Sequence, residues 1–471
     1  MIDHLFREIG SFFEELVRKE EFWVILFLLG IGGTLAAPSL GGRSIGDALR
    51  YFLELTWWLW AFLILLPIFS GTWLHWRQEK YIEGIEWVLL ELRMPRHVEK
   101  SPQAMEQVFA AIHTLRNAPA DVKEKYGDGE VTRWFSFEMV SFGGEIHFYV
   151  RTYVGLRNLV EAAFFSYYPD LDIVEVQDYI DRFPDTVHGL YEKGLDMWGT
   201  EMILKKEEYY PIKTYADFES PDDEKKFDPI STFLEVLGKI NKNEFVGIQI
   251  LAAPAASEEW DEKWGEELKK LREPEGKKRK FVSPEGVTQE YESLMIRSPG
   301  QTDVLKAVEK NLSKPAFKTI IRFVYFSPKV TFYDSYPRRG LVGAFNQYGA
   351  LDLNSFLQNY SVSTRARIWN KPYLFPGIRV EYRKARLLIN YRTRMVPPEM
   401  KMGRLITSYF LNWNTVSHRF MMNTECLASL FHVPTIVVLT EPHIRHLESK
   451  RTGPPAGLAI FGEDEEVKPY E

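Results

Sequence analysis

The chain has 471 residues, a formal net charge of −7 at pH 7 and a single cysteine. This length is enough for two or three globular domains with proper cores. The acidic balance argues against a wholly basic nucleic-acid-binding protein. A single cysteine excludes an internal disulfide framework, and the apolar helical surroundings of Cys426 favour a buried structural thiol over a nucleophile.

Two uncharged apolar runs near the amino terminus, 22–38 and 55–74, predict a two-helix transmembrane hairpin. About 20 helical residues cross a hydrocarbon core about 30 Å thick, and the second run has that length. A signal peptide and a buried core hairpin are the alternatives, but the first 20 residues are amphipathic and contain acids, unlike a signal peptide. Interfacial tryptophans would anchor the hairpin in the membrane: Trp23, Trp57, Trp58, Trp60 and Trp73.

The basic residues that flank the hairpin favour cytoplasmic placement of both chain ends. The predicted location is therefore the inner, cytoplasmic membrane, with a multi-pass anchor and soluble domains in the cytoplasm. In this interpretation, residues 1–80 hold an amphipathic amino terminus and the hairpin.

Residues 81–180 predict a ferredoxin-like α+β domain. Helical and strand patterns alternate there as β-α-β-β-α-β, the order of a split βαβ unit. Ser101-Pro102 opens the first helix, with Ser101 as its N-cap. Phe142-Gly143-Gly144 joins two strands as a hairpin turn.

Residues 198–335 predict a second α+β domain that repeats this scheme, with a charged insertion at 257–293. The rest of the chain divides into a basic mixed region, 336–460, and an acidic tail, 461–471. Within the basic region, Asn423 is the expected N-cap of a helix. The predicted fold class is α+β: a transmembrane hairpin, two ferredoxin-like domains and a mixed carboxy-terminal extension.

Motifs for catalysis are missing from the sequence. It contains no G-x-x-x-x-G-K-[ST] loop to hold phosphates and no G-x-S-x-G elbow. The ten histidines are scattered without partners at metal-ligand spacing. The sequence therefore predicts a protein that is not an enzyme, with no catalytic, cofactor-binding or metal-binding residues and no cofactor. An enzyme of another type stays as a minor alternative.

One charge pattern stands out, because residues 365–404 hold eleven lysines and arginines against two glutamates, with aromatic residues between them. Such a stripe is suited to a nucleic-acid backbone or to anionic lipid headgroups. A third interpretation is a strand face paired with the acidic remainder of the protein. The candidate contacts are Arg365, Arg367, Lys371, Arg379, Arg383, Lys384, Arg386, Arg392 and Arg394.

Several segments carry a resemblance to a known family: 100–113, 137–142, 146–150, 160–161 with 167–169, 423–434 and 453–457. They resemble the membrane-anchored amino-terminal region of conjugative, type IV secretion-like DNA-transfer ATPases of the HerA/FtsK class. Those proteins carry a P-loop motor, and this sequence has no P-loop motif. ATP hydrolysis is therefore not implied.

The resemblance implies a non-enzymatic, membrane-anchored scaffold of a type IV secretion- or conjugation-like apparatus. It would dock a separate P-loop ATPase, or that enzyme's substrate, on the cytoplasmic side. The expected partners are the lipid bilayer, the ATPase or other secretion components, DNA, and further copies in an oligomer. The alternative function is a membrane-tethered nucleic-acid-binding protein that uses the basic stripe at 365–404.

Overall fold

One antiparallel sheet of nine strands organises the chain. The structure is a computed structural model. It describes residues 45–95, 100–119, 121–218, 228–272, 278–282, 288–292, 298–365, 374–398, 401–408, 413–414 and 416–434.

The strands are β1 (Trp87–Arg93), β2 (Phe135–Phe142), β3 (Glu145–Tyr153), β4 (Asp172–Val176), β5 (Leu195–Leu204), β6 (Phe245–Pro254), β7 (Lys278–Val282), β8 (Thr288–Glu292), β9 (Ala316–Pro328), β10 (Phe356–Gln358) and β11 (Phe420–Asn423). The helices are α1 (Ile45–Glu83), α2 (Pro102–His113), α3 (Arg157–Tyr167), α4 (Val187–Glu192), α5 (Ser231–Gly238), α6 (Glu259–Arg272), α7 (Pro299–Leu312), α8 (Ser335–Asn346), α9 (Pro376–Thr393), α10 (Lys401–Ile406) and α11 (Thr424–Leu430).

The two halves of the sheet repeat one strand order. Across the sheet the order is β10-β5-β9-β6-β2-β3-β1-β4, and β11 adds to β9. Read inward from each edge, the halves are β10-β5-β9-β6 and β4-β1-β3-β2, so each begins with its last strand followed by its first. They join where β2 pairs with β6, from Phe135 opposite Ala252 to Phe142 opposite Phe245. The two α+β units therefore share one continuous sheet.

Local signals in the sequence are confirmed at three points. The Ser101 side chain accepts a hydrogen bond from the Gln103 amide at 3.2 Å and caps α2. Asn423 caps α11 in the same way, accepting from the Cys426 amide at 2.7 Å. Gly143 and Gly144, at φ 58° and 98°, form the turn between β2 and β3. Positive φ at both residues explains the glycine pair.

The predicted transmembrane hairpin is wrong. Its first span, 22–38, lies outside the described residues, and its second, 55–74, falls within α1. No helix in the part of the chain that the structure describes is long and apolar enough to cross a membrane. The predicted fold class fails with the hairpin, as does the multi-pass location in the inner membrane. The fold is mixed α/β and is built on the large antiparallel sheet.

The physical reason lies in the composition and packing of α1. The prediction counted absent charges, but the run also contains Thr56, Pro67, Ser70 and Thr72, which dilute its apolar character. Its end belongs to the globular body, where Leu74 is only 1 % exposed. Residues packed against a domain in this way are not available to a bilayer.

Helices cover both faces of the sheet. On one face α2, α3, α5, α8 and α11 enclose an apolar core with Phe109, Phe137 and Phe431 at its centre. On the other face α9 and α4 pack over a smaller core, to which α9 contributes Leu387, Leu388 and Tyr391. The helix of the basic region is thus a structural layer of the fold.

Two glycines allow α9 to lie close to the strands. A Cβ at Gly199 in β5 would stand 2.6 Å from Cδ2 of Leu387. A Cβ at Gly247 in β6 would stand 1.9 Å from the Tyr391 hydroxyl oxygen. Neither position has room for a larger residue without a shift of α9.

We expect Gly247→Ala to lower the free energy of unfolding by about 1–3 kcal/mol, the usual cost of overpacking a core. Denaturant unfolding of the full chain measures the effect. The matched control is Gly343→Ala in α8, where a Cβ would meet nothing within 4 Å. That change should be neutral or slightly stabilising, because alanine is the better helix former. Equal effects of the two substitutions would contradict the close packing of α9.

Candidate functional site

A row of six polar side chains crosses the sheet beneath α9. Neighbouring members face each other in the strand register, from β1 through β3, β2, β6 and β9 to β5. We call this set the polar row: Glu91, Tyr149, Glu138, Gln249, Arg322 and Glu201. Each of the six is at most 5 % exposed. Buried polar groups are costly unless they are hydrogen-bonded, so their partners decide whether the fold is stable.

Two ion pairs neutralise three of the four charges of the row, and the fourth, on Glu91, is paired with Arg93 at 3.0 Å. Nε of Arg322 donates to Glu201 at 2.8 Å, and Nε of Arg394 donates to Glu138 at 2.9 Å. Between them, Nε2 of Gln249 donates to the Tyr391 carbonyl at 3.1 Å. Hydrogen bonds and an ion pair therefore join the polar row to α9 and to Arg394, which follows this helix.

Arg394 is the residue on which most of these contacts converge. It is fully buried and lies just past the end of α9 at φ 52°, a left-handed conformation that is uncommon outside glycine. Its guanidinium also pairs with Asp178, and its carbonyl accepts from Nε1 of Trp134 at 3.0 Å. The contacts around Arg394 hold its backbone in this strained conformation.

The pairing sets the ionisation of Glu138. Burial by itself raises the pKa of this carboxyl, but the Arg394 charge and hydrogen bonds from Arg394, Ser136 and Tyr179 outweigh it, so the pKa lies below its usual range. The Tyr179 hydroxyl donates to Glu138 at 2.6 Å. Glu138 is therefore an anion at neutral pH inside the core.

The structure places most of the basic stripe inside the protein. The region from Pro376 to Thr393 is a helix and not a strand face. Five of the candidate contacts are at most 8 % exposed: Arg379, Arg383, Lys384, Arg386 and Arg394. Arg365 is exposed, whereas Arg367 and Lys371 lie outside the described residues.

Internal partners account for these buried cations. Nη1 of Arg383 donates to the carbonyls of Tyr360 and Ser363 at 3.1 and 2.9 Å. Burial lowers the pKa of Arg383 to about 10, and the neighbouring Arg379 adds to the effect. Lys384 pairs with Asp196 at 2.5 Å.

Two further members of the stripe are held in the same way. Nη2 of Arg386 donates to the Thr407 carbonyl at 3.0 Å. Arg392 pairs with Asp185 at 2.5 Å and donates to the Ile180 carbonyl. This arrangement matches the interpretation in which the stripe pairs with the protein itself, since contact with phosphates would require these bonds to break.

A second surface lies on α1, which ends in contact with the body. Nε1 of Trp73 donates to the Tyr126 carbonyl at 2.8 Å. Gly129, at φ 74°, closes the turn against α1, and a Cβ there would stand 2.4 Å from the Arg77 carbonyl carbon. On the opposite side of the helix, large apolar side chains face solvent.

We call these exposed residues the α1 stripe: Trp58, Phe62, Leu65, Phe69 and Trp76. They are between 45 and 65 % exposed. At the rotation of an α-helix they fall within about 60° of one another. Gly71 and Leu74, which are buried against the body, lie on the other side. Of the predicted anchor residues, Trp57, Trp58 and Trp73 are exposed, Trp23 lies outside the described residues, and the side chain of Trp60 is not described.

Cys426 is 3 % exposed, and burial raises the pKa of its thiol to about 12. The prediction of a buried structural thiol is confirmed.

Among the residues described, no group of three His, Cys, Asp or Glu side chains could hold a metal ion.

Sequence inspection missed the polar row, although a signal was present. Glu138, Gln249 and Arg322 each stand near the middle of a strand that is largely apolar and almost entirely buried. A charged residue in such a run needs a buried partner. The partner itself could not be read from the sequence, because Arg394 lies 256 positions from Glu138.

These features define a mixed α/β domain whose charged residues bind its own layers together and whose first helix carries an exposed apolar stripe. The chain belongs to the family described as Domain of unknown function (DUF8128), whose model matches residues 77–445. No curated protein matches the chain.

The polar row predicts sensitivity to acid. A carboxylate whose pKa is lowered by folding contributes stability above its unfolded pKa, about 4.3, and loses that contribution as pH falls through the lower folded value. Below about pH 4.3 the wild type should therefore lose stability steeply.

Glu138→Gln should lower stability at neutral pH by about 3–5 kcal/mol and flatten the acid slope, because Arg394 loses one partner and the titrating group is gone. Urea unfolding between neutral and acid pH measures both effects. Glu266→Gln, on an exposed part of α6, is the control and should change neither. If the stability of Glu138→Gln falls with acid as steeply as that of the wild type, Glu138 is not the group whose titration destabilises the fold.

The buried cations of the basic stripe give a separate prediction about stability and DNA binding. Arg383→Ala should lower the free energy of unfolding by about 2–3 kcal/mol, because two carbonyls lose a charged donor. Arg365→Ala, at an exposed position, should have little effect. Urea unfolding measures stability, and fluorescence anisotropy with labelled duplex DNA at several salt concentrations measures binding. Wild-type stability with weakened, salt-dependent DNA binding in Arg383→Ala would instead favour the nucleic-acid alternative.

Proposed function

We propose that the protein is a non-catalytic scaffold whose copies assemble through the α1 stripe. The observation that carries this proposal is the direction of the stripe, which faces away from the body to which the end of α1 is fixed. A large apolar surface that the fold itself leaves uncovered commonly marks an interaction site.

The spacing of the stripe suits a second helix. Its members follow one another at intervals of four, three, four and seven residues, the alternation that forms a seam between packed helices. The run 55–76 has no charged side chain apart from His75 when protonated. The stripe can therefore face its own copy without repulsion between like charges.

The size of the stripe is adequate for association. Its partly exposed aromatic and leucine side chains offer roughly 700 Å², against about 800 Å² per partner in a standard interface. Because the fixed end of α1 restrains the helix, less conformational freedom is lost when a partner binds. The exposed area of the stripe and the restraint on α1 therefore both favour association of the chain with a second copy.

The partner that such a scaffold would serve follows from the resemblance to DNA-transfer ATPases. We expect a separate P-loop ATPase to dock on the assembled chains. The support for this partner is the set of sequence motifs alone. Three aromatic side chains from those motifs, Phe109, Phe137 and Phe431, lie within one core. The motifs are therefore better evidence that the chain packs its core as the DNA-transfer ATPases do than that it has the same contact surface.

Phe62→Glu tests the proposal, because a charge buried in the seam without a partner costs several kcal/mol. We expect the wild-type full chain to self-associate and the variant to dissociate at least about tenfold more readily, a change of about 1.4 kcal/mol. Sedimentation velocity over a range of concentrations measures the difference.

Trp57→Glu is the matched control. Trp57 is 66 % exposed on the same helix but lies about a quarter-turn from the centre of the stripe, so association should be largely kept. The proposal fails if the wild-type chain stays monomeric, or if it partitions into phospholipid vesicles through the stripe without self-associating.

A further inference from the structure

The outer side of β4 is an edge of the main sheet. Among the described strands, β4 pairs with β1 alone and ends the strand order. The outer side of such a strand presents backbone N–H and C=O groups that can pair with an added strand. Ile173, Val174 and Val176 are only partly buried, so this β4 edge also offers apolar surface.

The β4 edge is acidic. The segment 169–177 holds three acids and no lysine or arginine: Asp170, Asp172 and Glu175. Nη1 of Arg93 lies 3.8 Å from a carboxylate oxygen of Asp172, and Arg157 pairs with Glu175 from the start of α3. The Glu175 side chain is nevertheless 56 % exposed, so a further cation can reach it.

The second, smaller sheet carries the opposite charge. Within the residues that the structure describes, β7 and β8 pair only with each other, from Lys278 opposite Glu292 to Val282 opposite Thr288. A two-stranded hairpin on its own is marginally stable in water, and a third strand stabilises it. The sequence of β7 is Lys-Arg-Lys-Phe-Val, so the edge that this hairpin offers to a third strand is basic.

The register of the hairpin distinguishes one cation of β7 from the other two. Both lysines stand opposite a glutamate of β8, as Lys280 does opposite Glu290. The third cation, Arg279, stands opposite Tyr291. Opposite charges at facing positions stabilise a strand pair, so Arg279 is the position at which a carboxylate on an added strand gains most.

We propose that the β7–β8 hairpin of one copy adds to the β4 edge of a second copy, with β7 antiparallel to β4. Antiparallel pairing that sets Arg279 opposite Glu175 also sets Phe281 opposite Ile173. Residues two apart in a strand share a face, so the charge pair and the apolar pair lie side by side. Both strands have five residues, so the pairing can run along their whole length.

The position of the hairpin in the fold favours a second copy over the same chain. α6 and α7 flank the hairpin in the sequence and pack with Ala316, the first residue of β9. β9 and β4 are five strand spacings apart, about 24 Å. The link between α6 and β7, residues 273–277, spans at most about 22 Å when fully extended. The hairpin of another molecule is free of this constraint.

The contact is head-to-tail and does not use the α1 stripe, so it can join copies independently of that stripe. Phe62→Glu therefore provides a parent chain in which the contribution of the stripe is removed. Comparison of the wild type with this parent tests the stripe, and charge reversal within the parent tests the hairpin contact.

Sedimentation velocity over a range of concentrations should show that the full-length parent still associates. Glu175→Arg or Arg279→Glu in the parent should each weaken association about tenfold, because like charges then face each other. An equimolar mixture of the two variants should associate as the parent does, since every edge again meets a hairpin of opposite charge. Glu192→Arg, at an exposed position of α4, is the control and should leave association unchanged.

Recovery in the mixture supports the proposal directly, because the two substitutions are then on different molecules. A parent chain that stays monomeric overturns the proposal. Single variants that associate as tightly as the parent overturn it too, as does a mixture that associates no better than the variants alone.

Discussion

The contact between Glu138 and Arg394 holds the architecture together. It places a carboxylate and a guanidinium, both fully buried, 2.9 Å apart in the centre of the sheet. Either charge alone would carry a large desolvation cost, so the pair ties the segment after α9 to β2. Gln249 and Arg322 extend the contact into β6 and β9, and each also donates to a carbonyl of α9. One helix is therefore bonded to both halves of the sheet.

This arrangement explains why the two halves form one domain. β2 and β6 join them through backbone pairing, and α9 covers that junction from one side. The close approach of α9 relies on glycine at 199 and 247, and the helix brings its cations into contact with carbonyls and carboxylates of the body. The positive charge that stands out in the sequence is thus used largely to fasten a layer of the fold.

The surfaces left for partners lie away from this centre. The α1 stripe faces away from the body, and a cavity opens where β11 joins β9. Neither uses the polar row. In a fold whose central charges are neutralised internally, these peripheral features are the ones that can change with a partner or ligand without disturbing the core.

The local features of this protein follow from short stretches of its sequence, whereas the way they combine depends on contacts between distant parts of the chain. The caps at Ser101 and Asn423 and the Gly143-Gly144 turn were predictable, because each depends on contacts within three or four residues. The hairpin prediction failed because an uncharged run does not reveal which of its residues pack against a domain, as Leu74 does. The role of the basic stripe stayed open for a related reason. The carbonyls around Arg383 and the carboxylate beside Arg394 come from distant parts of the chain, and only the completed sheet brings them into contact.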